Sequence, residues 1–165
     1  MTKSTKDPKA DRPHMPGYGI KEDRKGLLPW KWARERLSEA HAYWIATARE
    51  NGNPHCMPVW GLWMDNRFYF STGAQTRKAR NLKRNPHCII AVERKGDSVV
   101  VEGVAVSEKN TLVRKRFGRL YQAKYHWDMS DFKEPLYVVR PRVAFGLSEA
   151  NFVGSATRWR FGKGR

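Results

Sequence analysis

Tight turns between short apolar segments limit the fold more than any other feature of this sequence. Three turn sequences, Glu50 to Asn53, Asp65-Asn66 and Lys95 to Asp97, each separate two segments rich in β-branched and aromatic residues. Segments joined this closely pair as antiparallel strands, and five or six of them must close or fold over to remove exposed edges. The sequence therefore predicts a mainly β protein with an antiparallel barrel. The predicted strands are 42–49, 54–64, 67–72, 87–93, 98–106, 136–148 and 156–161.

Helical spacing of apolar residues occurs in three further segments, which predicts helices flanking the barrel. They span Trp30 to Ala40, Arg77 to Arg84 and Asn110 to Lys124. Thr76 is the expected N-cap of the second helix, and Asn85-Pro86 ends it. Within the strands, Gly103 predicts a bend or a close backbone approach, and Pro141 predicts an edge or a bulge.

The segment from Met57 to Met64 is apolar at both odd and even positions, so it predicts a strand buried on both faces. The two cysteines, Cys56 and Cys88, both fall in predicted strands and lack metal-ligand spacing. We expect them to be reduced, buried thiols.

A length of 165 residues with 40% hydrophobic composition suits one domain. Residues 1–26 are charged and proline-rich with few aliphatic residues, which predicts a flexible N-terminal arm before a domain at 27–165. The sequence has no apolar run of about 18 residues, and its N-terminus is too polar for a signal peptide. A cytoplasmic protein without a membrane partner is therefore expected.

A formal net charge of +16 makes nucleic acid a partner to consider. The cations do not form one stripe, however, because they are spread over the arm, residues 77–84, residues 114–119 and the C-terminus. We therefore expect no nucleic-acid partner, while a basic nucleic-acid-binding module stays as the alternative class.

Sequence motifs for protein-supplied catalysis are absent. There is no nucleophile elbow, no HExxH, no paired-cysteine zinc pattern and no phosphate-binding G-x-x-x-x-G-K-[ST] loop, and the histidines are scattered singly. No metal site is expected and no catalytic residue can be assigned.

A hydroxyl-rich turn leads directly into the most basic helix. Ser71 to Thr76 reads S-T-G-A-Q-T, and Arg77 to Arg84 contains five cations. A helix N-terminus carries unpaired N–H groups and partial positive charge, so hydroxyls and cations beside it favour phosphate binding. The alternative is a solvated basic helix face.

These residues carry a family resemblance. The segment 55–63, then FYFSTGAQTRKARNLKRNP, then VVVEGVAV at 99–106, resemble the flavin-binding split β-barrel family related to pyridoxamine 5′-phosphate oxidase, including its flavin/deazaflavin oxidoreductase branch. The resemblance covers residues 27 to 162. Its most specific part is S-T-x-x-x-T-R-K-A-R-N-L followed by N-P.

The resemblance implies an antiparallel split β-barrel of the FMN-binding type, a homodimer with cofactor at the subunit interface, and hydride transfer between a flavin and a small organic substrate. FMN is the implied cofactor, with coenzyme F-420 as the alternative, and a module that binds flavin without turnover is the alternative to an enzyme. A tail of the R-x-H-D-R type is missing, which leaves pyridoxamine phosphate in doubt as the substrate. The implied contacts are Ser71, Thr72, Arg77 and Lys78 to the phosphate, Met57, Pro58, Val59 and Trp60 along the ring, and Trp159 and Arg160 approaching from the partner chain.

Overall fold

The computed structural model describes residues 7–20, 22–129 and 131–162. These residues form nine strands and four helices. The strands are β1 (Lys9–Asp11), β2 (Tyr43–Ala48), β3 (Pro54–Val59), β4 (Gly61–Met64), β5 (Arg67–Ser71), β6 (His87–Arg94), β7 (Asp97–Ser107), β8 (Leu136–Ser148) and β9 (Thr157–Arg160). The helices are α1 (Trp30–Glu39), α2 (Arg77–Arg84), α3 (Thr111–Tyr125) and the single turn α4 (Phe152–Ser155), which follows a 3₁₀ turn at Glu149–Asn151.

All strand pairs are antiparallel, and the strands form one open sheet in the order β1-β9-β8-β7-β6-β2-β3. The hairpin of β4 and β5 joins this sheet where β5 pairs with the first residues of β8. The long strand β8 therefore belongs to both halves of the sheet. This arrangement confirms the predicted antiparallel split β-barrel with flanking helices.

The main core lies between the inner sheet face and α1. Phe68, Phe70, Ile45 and Ile90 are almost fully buried there. Trp30 of α1 packs edge-on against Trp159, with ring centroids 5.3 Å apart. The first helix thus closes one side of the barrel, as its amphipathic spacing predicted.

The bend or close approach predicted at Gly103 and the bulge predicted at Pro141 are both confirmed. The pairing of β7 and β8 shifts register between Glu102 and Gly103, opposite Pro141. A Cβ at Gly103 would lie 2.7 Å from the Arg140 carbonyl oxygen, so only glycine permits this approach. The shift is a bulge that bends β8 where it passes from one half of the barrel to the other.

The predicted strand 54–64 is interrupted at Trp60, which is a correction to the sequence analysis. Its first part pairs with β2 and its second part with β5, so two strands meet at a corner. All of Gly61–Met64 is buried, but most side chains of Pro54–Val59 are exposed. Two-sided burial was therefore wrong for β3, which ends the sheet and lacks a partner on one edge among the described residues. Cys56 is exposed for the same reason, and only Cys88 is buried.

Part of the N-terminal arm adds a strand to the sheet. Lys9–Asp11 pairs with Thr157–Arg160, and the Asp11 carboxylate accepts hydrogen bonds from the Arg158 guanidinium, which lower the pKa of that carboxyl. The flexibility predicted for residues 1–26 stays a prediction. Residues 1–6 and residue 21 of that segment lie outside the described residues.

Candidate functional site

The N-terminus of α2 is built as the sequence predicted. Thr76 caps the helix, because its Oγ1 accepts a hydrogen bond of 3.3 Å from the Ala79 backbone N–H. The Thr72 and Thr76 hydroxyls are hydrogen-bonded to each other at 3.1 Å. Two hydroxyls and the unpaired N–H groups of the first helical turn therefore lie together at the start of a cationic helix.

A buried polar contact fixes this helix against the sheet. The Asn81 Nδ2 donates a 2.9 Å hydrogen bond to Thr47 Oγ1, and both residues are buried. Ala79 and Leu82 bury the remaining inner face of α2. Thr47 is paired with His55 across β2 and β3, so the contact brings α2 close to the edge strand β3.

Three cations lie near His55 of β3. Burial of the imidazole and repulsion by Arg49, Lys78 and Arg77 lower the pKa of His55 below its usual value. Burial also lowers the pKa of the Lys78 ammonium. The Nδ1 atom of His55 is buried and has no hydrogen-bond partner among the described residues. These groups would all be stabilised by one anion placed among them.

An apolar surface continues from the cationic cluster along β3. Met57 is 45% exposed, and Trp60 at the corner is 42% exposed. The Trp60 ring stacks on Tyr125 with a centroid distance of 4.9 Å and an interplanar angle of 2°. A flat aromatic molecule would find backbone groups at the open strand edge and apolar side chains beside it.

The corner between β3 and β4 is held from α3. The Gly61 N–H donates to the Tyr125 hydroxyl at 3.0 Å, and the Lys124 ammonium donates to the Gly61 carbonyl at 3.3 Å and to the Ser38 carbonyl at 3.4 Å. Lys124 also lies 3.1 Å from the Tyr43 hydroxyl and over the Tyr43 and Tyr125 rings. These contacts fix the position of the adjacent Trp60.

We expect Lys124 to give the stability a distinct pH dependence. Burial lowers its pKa to about 8, against about 10.4 in an unfolded chain. Between these values the unfolded chain binds more protons at this lysine, so Lys124 makes a contribution to the free energy of unfolding that rises with pH. Above about pH 9 the raised pKa of the buried Cys88 thiol acts in the opposite direction, and above about pH 10 the raised pKa values of Tyr43 and Tyr125 do so as well. Urea denaturation of wild type and Lys124→Met from pH 7.5 to 10 measures the difference.

Lys115→Met provides the control, because Lys115 is an exposed lysine of the same helix. The slope of the free energy of unfolding against pH should be less positive in Lys124→Met than in wild type, and it should be unchanged in Lys115→Met. Equal slopes in wild type and Lys124→Met would contradict the assignment.

The remaining residues suggested by the family resemblance lie in different surroundings. The Ser71 hydroxyl donates a 2.6 Å hydrogen bond to the Pro135 carbonyl and lines a cavity beside α3. Trp159 is fully buried in the core of its own chain. Arg160 is half exposed and forms an ion pair with Asp11 at 3.1 Å. Of the two C-terminal residues, only Arg160 reaches the surface.

Sequence reasoning assigned no site role to His55, Asn81 or Lys124. His55 and Lys124 acquire their properties from residues distant in the chain, and nothing in the local sequence indicates those contacts. Asn81 belongs to the R-N-L segment of the family resemblance. It is an uncharged polar residue in a helix rich in cations, and this contrast is the sequence signal that could have indicated its buried contact with β2.

The sequence matches a protein-family model. The family model described as pyridoxamine 5′-phosphate oxidase matches residues 30–147. No curated protein matches the sequence significantly. Among solved structures, the conserved hypothetical protein Rv2991 from Mycobacterium tuberculosis is 20% identical, with a TM-score of 0.67 over 77% of this chain and 89% of that one.

Two further structures are similar at the level of the fold. An F420 reductase is 21% identical, with a TM-score of 0.56 over 67% of this chain and 94% of that one. A heme binding protein from Mycobacterium smegmatis is 17% identical, with a TM-score of 0.60 over 70% of this chain and 52% of that one. Within the described ranges, no helix is long and apolar enough to cross a membrane.

Proposed function

Because the chain belongs to the pyridoxamine 5′-phosphate oxidase family, we propose that it is an oxidoreductase that binds FMN, with coenzyme F-420 as the alternative cofactor. The observation that carries this proposal is the set of unpaired groups at the start of α2. Arg77, Lys78 and Arg49 lie near His55, whose buried Nδ1 has no hydrogen-bond partner in the part of the chain that the structure describes. A phosphate supplies the negative charge and the acceptor oxygens that this set lacks.

The protein residues around the cofactor would bind and orient it. Arg77 and Lys78 would hold the phosphate together with the Thr72 hydroxyl, while Ser71 would support the turn through Pro135. The edge of β3 from Met57 to Trp60 would lie along the ring. When bound, the flavin or deazaflavin would supply the hydride transfer, in keeping with a sequence that has no motif for a catalytic nucleophile.

A homodimer would complete this site. The outer face of β2, β3 and β6 is apolar and exposed, with Trp44 paired to Pro58 and Ala46 paired to Cys56 and Ile89. Trp44 is 53% exposed, which is unusual for a residue in the middle of a sheet. A second copy on this face would bury the tryptophan and place partner residues, including Arg160, near the ring edge.

Paired titrations test the proposed cofactor most directly. Purified protein stripped of small molecules is titrated with FMN and with riboflavin, which has the same ring but no phosphate. FMN should bind at least about tenfold more tightly, because charged hydrogen bonds contribute about 1.5 to 3 kcal/mol. F-420 and its phosphate-free deazaflavin form the second pair.

The outcome also separates the competing functions. Anaerobic oxidation of the reduced, bound cofactor by a small organic acceptor would support the oxidoreductase. Equal affinity for FMN and riboflavin, together with equal affinity for the two deazaflavins, would contradict the proposed phosphate site. Uptake of heme, or sequence-selective nucleic-acid binding, by a protein that binds neither cofactor would overturn the proposal.

A further inference from the structure

A cavity of about 520 Å³ lies between α3 and the segment that leads into β8. Its walls combine two chemistries. Phe117, Phe132 and Leu136 supply an apolar wall, and Arg114, Lys115 and Arg119 supply three cations. Cavities of this size, with an apolar lining and a few convergent polar groups, are typical of small-molecule sites.

The charges of the cavity are unbalanced. Asp128 is the one carboxylate among the lining residues, so three cations and one anion leave two positive charges. Arg114 donates a 3.2 Å hydrogen bond to the Glu134 carbonyl. Lys115 and Arg119 form no hydrogen bond or ion pair with the described residues, whereas their neighbour Arg116 does not line the cavity and pairs with Asp65 at 2.6 Å.

A glycine inside α3 leaves the cavity open. Glycine is the least favourable helix-interior residue apart from proline, so Gly118 needs a reason within a 15-residue helix. Packing does not supply one, because a Cβ at this position would meet only the Met129 Cβ, at an ordinary contact distance of 3.7 Å. The missing side chain instead leaves room in the cavity beside Arg119.

We propose that this cavity binds a small anion with an apolar body, as a carboxylate or a phosphate monoester. Its apolar part would contact Phe117 and Phe132, and its charged group would accept hydrogen bonds from Arg119 and Lys115. The proposal does not depend on the cofactor, because none of these residues belongs to the cationic cluster at α2.

Calorimetric titration of the full-length protein with three probes tests this site. The probes are 2-naphthoate, 1-naphthyl phosphate and 2-naphthamide, which has the same ring without a charge. At least one of the two anions should bind about tenfold more tightly than the amide, as expected for one or two charged hydrogen bonds. The tighter anion identifies the preferred charged group. Equal affinity of all three probes would overturn the proposal.

Matched variants locate the site. Arg119→Gln should weaken binding of the tighter anion about tenfold, while Arg116→Gln, which removes the same charge from the same helix, should change it less than about twofold. Gly118→Met should block binding by filling the cavity. Gly118→Ala should retain binding and unfold at or above the wild-type temperature.

The double variant Arg77→Ala and Lys78→Ala separates this site from the proposed cofactor site. Unchanged probe affinity in this variant supports a separate cavity even if FMN does not bind. Loss of probe affinity there, or unchanged affinity in Arg119→Gln, would show that the anions bind elsewhere and would overturn the proposal. If Gly118→Met does not fold, Arg119→Gln and Arg116→Gln still decide the question.

Discussion

Replacing Arg77 and Lys78 with alanine should weaken FMN binding by about 1.5 to 3 kcal/mol for each residue, the range for a hydrogen bond to a charged group. Together the two substitutions should therefore lower the affinity about a hundredfold or more. Burial of the Lys78 ammonium makes it the more sensitive position, because the charge is already partly desolvated before the phosphate arrives. Fluorescence titration with FMN measures the loss, and F-420 is used instead if that is the cofactor bound.

Two comparisons make this result specific. Arg80→Ala removes an exposed cation from the same helix, so it should change the affinity less than about twofold in physiological salt. Riboflavin affinity should be the same in wild type and in the double variant, because riboflavin has no phosphate. Unchanged FMN affinity in the double variant would contradict the phosphate assignment at α2.

Replacing Trp44 with glutamate should separate the proposed homodimer into monomers. Tryptophan residues at the centre of an interface commonly contribute 2 kcal/mol or more, which corresponds to a loss of affinity of about thirtyfold. A buried carboxylate without a partner adds to this penalty. Light scattering over a dilution series should report twice the monomer mass for wild type and the monomer mass for Trp44→Glu at micromolar concentration.

Leu112→Glu provides the matched control, because Leu112 is the most exposed large apolar residue of α3 and lies outside the β2, β3 and β6 face. Its mass should equal that of wild type. If the cofactor site lies at the interface, cofactor affinity should fall together with dimer content in Trp44→Glu. A monomeric wild type that binds cofactor tightly would refute the interface model.

Local sequence signals predicted the regular elements well. The predicted bounds of α2 and β8 agree with the structure, and those of α2 do so because Thr76 and Asn85-Pro86 act on their immediate neighbours. The division of 54–64 at Trp60 was not predictable in this way. It depends on the different pairing partners of β3 and β4, although Pro58 and Gly61 in that segment are residues that disfavour one continuous central strand. The pairing of β1 with β9 was not predictable from local sequence either, because it joins segments about 150 residues apart.

The candidate site also combines residues that the local sequence indicates with residues whose role depends on the fold. The hydroxyls and cations of the turn and α2 are adjacent in sequence, so a phosphate-binding role for them could be proposed from the sequence itself. His55 is significant only because β3 brings it to Arg77 and Lys78, and Lys124 only because α3 brings it to Gly61. Environment rather than identity determines what these two side chains can do.

The pairing of β1 with β9 also determines how the chain could be rearranged. Lys9 lies opposite Arg160, so the start of the first strand and the end of the last one are adjacent, as in a hairpin without its loop. A short linker between them would close that hairpin, and the exposed turn at Asn51-Gly52 offers a place to open the chain elsewhere. A circularly permuted protein could therefore keep every strand neighbour, and its new ends would emerge beside β3, within reach of the proposed cofactor edge.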